Sequence, residues 1–280
     1  MDFRVSQIFS LLQQEGNLAK KMILSSFESL LNANMTDHQI GNFYSGFFQL
    51  SIGIERLLKL TAIINHMLEN DYKPPTDNEL KNGYGHKITL LFAACISIHN
   101  NHSLNKVTPP EKDSCEERIL IFLNNFAHKS RYYNLDALTR ASEISDPIAI
   151  WWEISRDVLE DDVSSNKREA QAMKLMRELD RQGKFGYSWT KDFDGHPMTI
   201  FDYHYRIYRL KQSAPYMIWR TINLFSPLYD TLQYLTEKAV IYELENNIKK
   251  PVIPHMYEFF VFLLANRNDT LRRKKWTTLF

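Results

Sequence analysis

The sequence predicts an all-α protein. Its 280 residues include only 9 glycines and 10 prolines, so there are few of the turns that connect β-strands. In most segments the apolar residues recur every three or four positions, which places them on one face of a helix. Hydrophobic residues make up 44% of the chain and aromatic residues 13%, enough for a substantial core.

The segment 36–70 shows this periodicity most clearly, and the rest of the chain is predicted to pack around it. Gly46 and Gly53 weaken a helix by propensity, so their presence in so apolar a segment predicts that another helix packs closely against it. Thr36 and Gln39 have the spacing of a capping box at its start. The residues of its apolar face are Phe43, Phe47, Leu50, Ile54, Leu57 and Thr61.

Charged residues interrupt this apolar segment at Glu55, Arg56 and Lys59. Glu55 and Lys59 are four residues apart with the acid first, which favours a helical ion pair. Two interpretations stay open at this stage. The three residues form either a solvated stripe or a polar seam that is buried between helices or lines a site.

Helices are also predicted on both sides of this segment. Residues 1–14 and 18–34 form two of them, because Gly16–Asn17 interrupts the periodicity. The Pro74–Pro75 pair ends the long helix, since prolines cannot continue it. The next helix covers 87–99 and buries one face rich in Ile, Leu and Phe.

A later helix carries its apolar residues between Ile119 and Phe126, and Asp113 or Ser114 can cap it. The pattern then loosens over 137–147. We place a domain boundary there, which divides a helical bundle at 1–140 from a helical extension at 145–280 that packs on it.

In the second half, Pro147 suits the first turn of a helix and 166–182 forms a charged one. Residues 183–198 are irregular and aromatic. Pro215 is predicted to start a long helix that reaches residue 247 and bends at Pro227.

The tail 272–280 is basic and then hydrophobic. Through Trp276 and Phe280 it can dock on a neighbouring molecule, as a handle for a partner or for nucleic acid.

Composition excludes several function classes. The net charge of +1 provides no overall field that attracts nucleic acid, so an anion site must be a local patch. Cys95 and Cys115 are too few for a disulfide scaffold and lack zinc-site spacing, which predicts reduced thiols in the cytoplasm. No uncharged apolar run approaches the roughly 20 residues that cross a bilayer, so no membrane association is expected. Glycine-loop, GxSxG and HExxH motifs are absent, and we expect neither a cofactor nor a metal.

Residues 128–132 contain the side chains that metal-independent RNA cleavage requires. Histidine has a pKa suited to moving the proton of the 2′-hydroxyl, and arginine holds a phosphate in its planar fork. His128, Lys129, Arg131 and Tyr132 supply these types, and His86 at a helix start is a second candidate base because the helix dipole favours neutral imidazole. Ordinary basic residues at a helix end, and a capping or core role for His86, are the alternatives.

Two weaker patterns lie in the second half. Tyr203, Arg206 and Arg209 belong to a segment in which aromatic and basic residues alternate, which suits contact with bases and phosphates or an interhelical surface. The second pattern offers ligand types for a divalent cation but matches no recognisable motif, so a polar loop is the favoured interpretation and a metal-dependent enzyme the weaker one. Its residues are Asp192, Asp194, His196, Asp202 and His204.

The order of these features resembles the HEPN superfamily of helical bundles. The resemblance covers about residues 18–140. It consists of the Glu55–Lys59 pair on a long helix, the segment 85–91 that opens a later helix with Gly-His-Lys-Ile-Thr-Leu-Leu, and Arg131-Tyr-Tyr133 after a further helix. It implies an up-and-down bundle, often dimeric, with links to RNA cleavage, toxin–antitoxin systems, phage defence or nucleotide binding.

In nucleolytic HEPN proteins an Arg four to six residues before a His carries the reaction, and no His here has such an Arg. The first hypothesis is therefore a divergent metal-independent ribonuclease in bacterial stress or phage defence. Its catalytic candidates are His128, Arg131 and His86, and its RNA-binding candidates are Glu55, Arg56, Lys59, Lys129, Tyr132, Tyr203, Arg206 and Arg209. The alternative is a non-catalytic helical adaptor or sensor that binds a protein or nucleotide, as a homodimer or with a defence-system partner.

Overall fold

The computed structural model describes residues 5–36, 38–79, 85–102, 104–128, 132–139 and 145–278. The all-α prediction is confirmed, since helices account for nearly all the regular structure of these residues. The first half contains α1 (Gln7–Asn32), α2 (Gly41–Glu69), α3 (Ile88–Asn101), α4 (Cys115–His128) and α5 (Tyr133–Thr139). The second half contains α6 (Pro147–Asp162), α7 (Ser165–Arg181), β1 (Tyr187–Lys191), β2 (Pro197–Thr199), α8 (Ile200–Phe225), α9 (Pro227–Glu245), a 3₁₀ helix (Met256–Leu264) and α10 (Arg267–Arg272).

Helix α1 is continuous, so the predicted interruption at Gly16–Asn17 is wrong. Gly16 is buried, and a Cβ atom there would lie 2.9 Å from Met256 Cε and 3.0 Å from the ring of Phe259. The glycine therefore gives the 3₁₀ helix room to pack on α1. Single-sequence periodicity cannot distinguish this role from that of a helix breaker.

Helices α1 and α2 form the most extensive helix pair of the described residues, and the predicted close approach at the two glycines of α2 is confirmed. A Cβ on Gly46 would lie 2.8 Å from Leu30 Cγ. A Cβ on Gly53 would lie 2.7 Å from Ile23 Cγ1 and 3.0 Å from the backbone nitrogen of Ile23. The distances of 2.7 and 2.8 Å are too short for a real Cβ atom, so the close packing of α1 on α2 requires glycine at both positions.

The capping box predicted at the start of α2 is wrong. The helix begins at Gly41, and no side chain caps its first turn. The hydroxyl of Thr36 instead donates to Asn34 Oδ1 over 2.6 Å. The turn before α2 is thus stabilised by its own side-chain hydrogen bonds.

An aromatic cluster joins the N-terminal part of α2 to α4 and α6. The fully buried ring of Phe47 lies 4.7 Å from that of Phe122, 5.4 Å from Phe126 and 5.1 Å from Trp151, measured between centroids. The rings meet at steep angles, the arrangement that aromatic quadrupoles prefer. Since Trp151 belongs to the second half, the hydrophobic core runs through both halves.

The starts of two later helices match the prediction. Ser114 accepts a hydrogen bond from Glu117 N ahead of α4, and Asp146 caps α6 with Pro147 in its first turn. The division between 1–140 and 145–280 stays a prediction, because residues 140–144 lie outside the described part of the chain.

The second half differs from prediction in two places. Pro215 lies inside α8 rather than starting a helix, while Pro227 begins the separate helix α9. Residues 187–199, expected to be irregular, form the antiparallel hairpin of β1 and β2. It is too short and too exposed to show a strand pattern in the sequence.

The tail docks on its own chain, so its predicted role as a handle through Trp276 is wrong; Phe280 lies outside the described residues. Trp276 is fully buried, with its ring 5.1 Å from that of Phe27. Glu28 accepts hydrogen bonds from the backbone nitrogens of Trp276 (2.7 Å) and Thr277 (2.8 Å).

Among the described helices, none is both long enough and apolar enough to span a bilayer.

The close approach of α1 and α2 gives a stability prediction. Gly53→Ala should lower the free energy of unfolding by about 1–3 kcal/mol, because the new methyl group must displace Ile23 and its backbone. Gly41→Ala in the same helix is the matched control, since a Cβ at that position would have no described neighbour within 4 Å. Urea denaturation measures both, and equal stability of the two variants would show that the helices are not in such close contact.

Candidate functional site

A cavity of about 570 Å³ opens along one side of α2, between α1, the end of α4 and the turn before α3. This volume lies within the usual range of small-molecule sites. We call it the α2 cleft. Its lining residues are Glu15, Phe48, Ser51, Ile52, Glu55, Arg56, Lys59, Leu60, Ile63, His86, Phe126, Ala127 and His128.

Glu55 lies at the centre of the polar part of the cleft. Its Oε1 accepts a hydrogen bond from Lys59 Nζ over 2.6 Å, which confirms the predicted ion pair. The same oxygen lies 2.9 Å from Nδ1 of His86. Only 13% of the Glu55 side chain is exposed, against 72% for His86. The charged residues of α2 thus line a cavity, which favours the second of the two sequence interpretations.

The contact with Glu55 determines the protonation pattern of His86. An ionised carboxylate only accepts hydrogen bonds, so Nδ1 of His86 must carry the proton. In the neutral ring Nε2 then has the free lone pair, and it can accept a proton from a ligand. His86 does not cap α3, because Lys87 occupies the cap position. Its turn follows Gly85, which has a φ of 54°.

The two partners of Glu55 also keep it ionised. Burial by itself raises the pKa of Glu55, but the hydrogen bonds from Lys59 and His86 outweigh burial and hold this pKa below its ordinary value of 4.5. At neutral pH the carboxylate therefore orients the imidazole and would stabilise it when it gains a second proton.

Arg56 forms the other charged wall of the cleft, where its Nη1 pairs with the carboxylate of Glu15 on α1. Its Nε is buried and has no hydrogen-bond partner within the described residues. Glu15 was not among the sequence candidates, because nothing in the sequence pairs α1 with α2 at this position.

Ser51 is a second residue that the sequence analysis missed. It lies one helical turn before Glu55, and it lines the cleft with only 1% of its surface exposed. Its hydroxyl has no hydrogen-bond partner in the described part of the chain. Leaving such a group unpaired costs about 1–3 kcal/mol. The step of four residues from Ser51 to Glu55 and again to Lys59 is the signal that could have identified it.

Of the residues proposed around 128–132, the structure places His128 at the cleft. It is the last residue of α4 and is exposed. Lys129 and Arg131 lie outside the described residues, so their roles stay predictions. Tyr132 is 55% exposed and does not line the cleft.

The three candidates on α8 lie away from the α2 cleft. Arg209 is buried and donates to Tyr205 Oη over 2.8 Å. The guanidinium of Arg206 lies over the rings of Phe193 and Trp152, at 4.7 and 5.4 Å from their centroids. Burial lowers the pKa of Arg206. Tyr203 is half-buried, and none of the three lines the cleft.

Part of the weak cation-ligand pattern does come together at the hairpin turn. Asp192, Asp194 and His196 offer ligand atoms within 4.8 Å of one another. Asp192 Oδ1, however, accepts hydrogen bonds from the backbone N–H groups of Asp194 and His196, and Asp202 forms a capping box with Thr199, the N-cap residue of α8. The hydrogen bonds of the turn account for this arrangement, so we assign no metal to it.

Comparisons with known proteins found no matching family model, curated protein or solved structure.

The depressed pKa of Glu55 predicts a pH dependence. A carboxylate with a lower pKa in the folded state stabilises the fold above its unfolded pKa, and this stabilisation disappears as the pH falls through the folded value. Glu55→Gln should therefore cost stability at neutral pH, and the cost should shrink below pH 4.5. Urea denaturation of the wild type and of Glu55→Gln from pH 7 to pH 3 measures this loss of stability.

Exposed Glu245, which does not line the cleft, supplies the reference variant Glu245→Gln for the loss of one negative charge. Carbon NMR of the Glu55 carboxyl group gives its pKa directly. A midpoint at or above 4.5 would contradict the hydrogen-bonded arrangement.

Proposed function

We propose that this protein is a divergent metal-independent ribonuclease and that the α2 cleft is its active site. The observation that carries the proposal is the Glu55 carboxylate shared by Lys59 and His86, in a cavity that His128 also lines. This set provides a histidine oriented by a carboxylate, a second histidine and a cation. These are the groups that cleavage beside a 2′-hydroxyl requires.

In the proposed reaction, Nε2 of His86 takes the proton of the 2′-hydroxyl, and the 2′-oxygen attacks the adjacent phosphorus. The bond from phosphorus to the 5′-oxygen of the next nucleotide breaks, and His128 donates a proton to that oxygen. The products are a 2′,3′-cyclic phosphate and a 5′-hydroxyl. Glu55 stabilises the imidazolium that forms on His86, as a buried carboxylate does for a catalytic histidine.

Lys59 and Arg56 are the proposed phosphate contacts. Lys59 uses one of its three N–H donors on Glu55, and the guanidinium of Arg56 contacts Glu15 through Nη1. Arg131, predicted to hold phosphate, would add to this set.

The resemblance to HEPN proteins supports the same assignment, because the Glu55–Lys59 pair and His86 are two of its three landmarks. The resemblance further suggests a dimer and a role in bacterial stress or phage defence. The pair of His86 and His128 would take the place of the Arg and His that nucleolytic members carry.

RNA cleavage in a chelator tests the proposal. Purified protein should cut transfer RNA in the presence of EDTA and leave 2′,3′-cyclic phosphate ends, while DNA of the same sequence stays intact because it lacks the 2′-hydroxyl. His86→Ala should lower the cleavage rate by about 10²–10⁴-fold, the usual contribution of general acid–base catalysis.

His66→Ala is the matched control, since His66 is on the same helix as Glu55 but does not line the cleft. It should cut at the wild-type rate. Absence of cleavage by the wild type, or equal rates for His86→Ala and wild type, would rule out the enzyme. RNA binding without cleavage would instead favour the non-catalytic sensor.

A further inference from the structure

The floor and the rim of the α2 cleft differ in chemistry. Ser51 and Phe126, at 1% and 2% exposure, form part of the floor. His86 and His128 are exposed at the rim, together with the partly exposed Arg56. A ligand complementary to both the floor and the rim would have two parts. One end would be a flat apolar body with a polar edge, and the other end would be an anionic group.

From this arrangement we propose that the floor of the cleft is a subsite for one nucleobase and that Ser51 reads the polar edge of the base. This inference rests on the proposed function, since it takes the bound ligand to be a nucleotide.

The unpaired hydroxyl of Ser51 is the main evidence. A helical serine ordinarily donates to a carbonyl of the preceding turn, as Ser26 does to Ile23 O over 2.6 Å. The Ser51 hydroxyl makes no such bond within the described residues, although it is almost fully buried. A buried polar group without a partner destabilises the fold, so its position at a cavity indicates a partner that comes from outside.

The other lining residues suit a base in particular. Phe48 is 44% exposed and borders the cleft, where its ring can stack on a heterocycle. Ile52, Leu60 and Ile63 complete the apolar wall. A hydroxyl both donates and accepts, so Ser51 can bond to the edge of an unpaired base.

The phosphate of a nucleotide whose base occupies the floor would lie at the cationic rim. Lys59 and Arg56 lie on the same helix as Ser51, two turns and just over one turn further along. A base in the floor would therefore leave its sugar and phosphate near His86. Because the base must be unstacked to enter, the inferred substrate is a single-stranded segment rather than a duplex.

Binding of small ligands to the full chain tests the inference. Calorimetry would compare the four nucleoside monophosphates with ribose 5-phosphate, which carries the phosphate without a base. At least one nucleotide should bind tenfold or more tightly than ribose 5-phosphate. Ser51→Ala should weaken that nucleotide at least fivefold, leave ribose 5-phosphate unchanged, and keep or raise the melting temperature, because it removes an unpaired hydroxyl.

Ser155→Ala is the matched control. Ser155 is also 1% exposed with an unpartnered hydroxyl in the described part of the chain, but it lies on α6 away from the cleft. It should change stability in the same direction as Ser51→Ala without changing any affinity. Phe48→Ala is a second variant at a partly exposed position, and it should weaken every nucleotide relative to ribose 5-phosphate.

Three results would overturn the inference: equal binding of ribose 5-phosphate and all nucleotides, no binding of any nucleotide, or wild-type nucleotide affinity in Ser51→Ala. The outcomes separate it from the proposed function. Cleavage of RNA with base-independent binding removes the base subsite alone. Base binding through Ser51 without cleavage keeps the subsite and removes the ribonuclease.

Discussion

The contact between α1 and α2 at Gly46 and Gly53 is the constraint on which the rest of the structure depends. Since a Cβ at either position would collide with α1, the two backbones approach closely and both glycines are buried. The aromatic cluster around Phe47 covers a second face through α4 and α6. Helices α3 and α9 also pack on α2, and the side that carries Glu55 and Lys59 borders the cleft. Packing against these helices thus holds the polar residues of α2 in one orientation.

Glu55 connects this packing to the chemistry of the cleft. A surface ion pair contributes at most about 1 kcal/mol, but a largely buried carboxylate needs its partners to stay ionised. Lys59 lies on the same helix and is present whenever α2 forms. His86 comes from a turn 31 residues further on, so its contact forms only when α3 has packed. Folding of the bundle therefore assembles the proposed base and its orienting carboxylate together.

Much of the fold, and one ion pair of the candidate site, could be predicted from the spacing of residues along the sequence. The helical class, the close approach at two glycines and the Glu55–Lys59 pair depend on interactions within one helix or on residue size, which spacing reveals. The prediction failed where a residue's role depends on a distant neighbour. Gly16 makes room for Met256 instead of breaking α1, and Trp276 packs against Phe27 at the other end of the chain.

By itself, the sequence determined that this protein is helical and that charged and histidine residues occur together in its first half. Only the tertiary structure decided which of them meet. It brought Glu55, Lys59, His86 and His128 to one cavity, kept the α8 arginines away from it, and added the unpaired Ser51 hydroxyl. The physical reason is that periodicity specifies which face of a helix is buried, whereas the packing of several helices specifies what that face contacts.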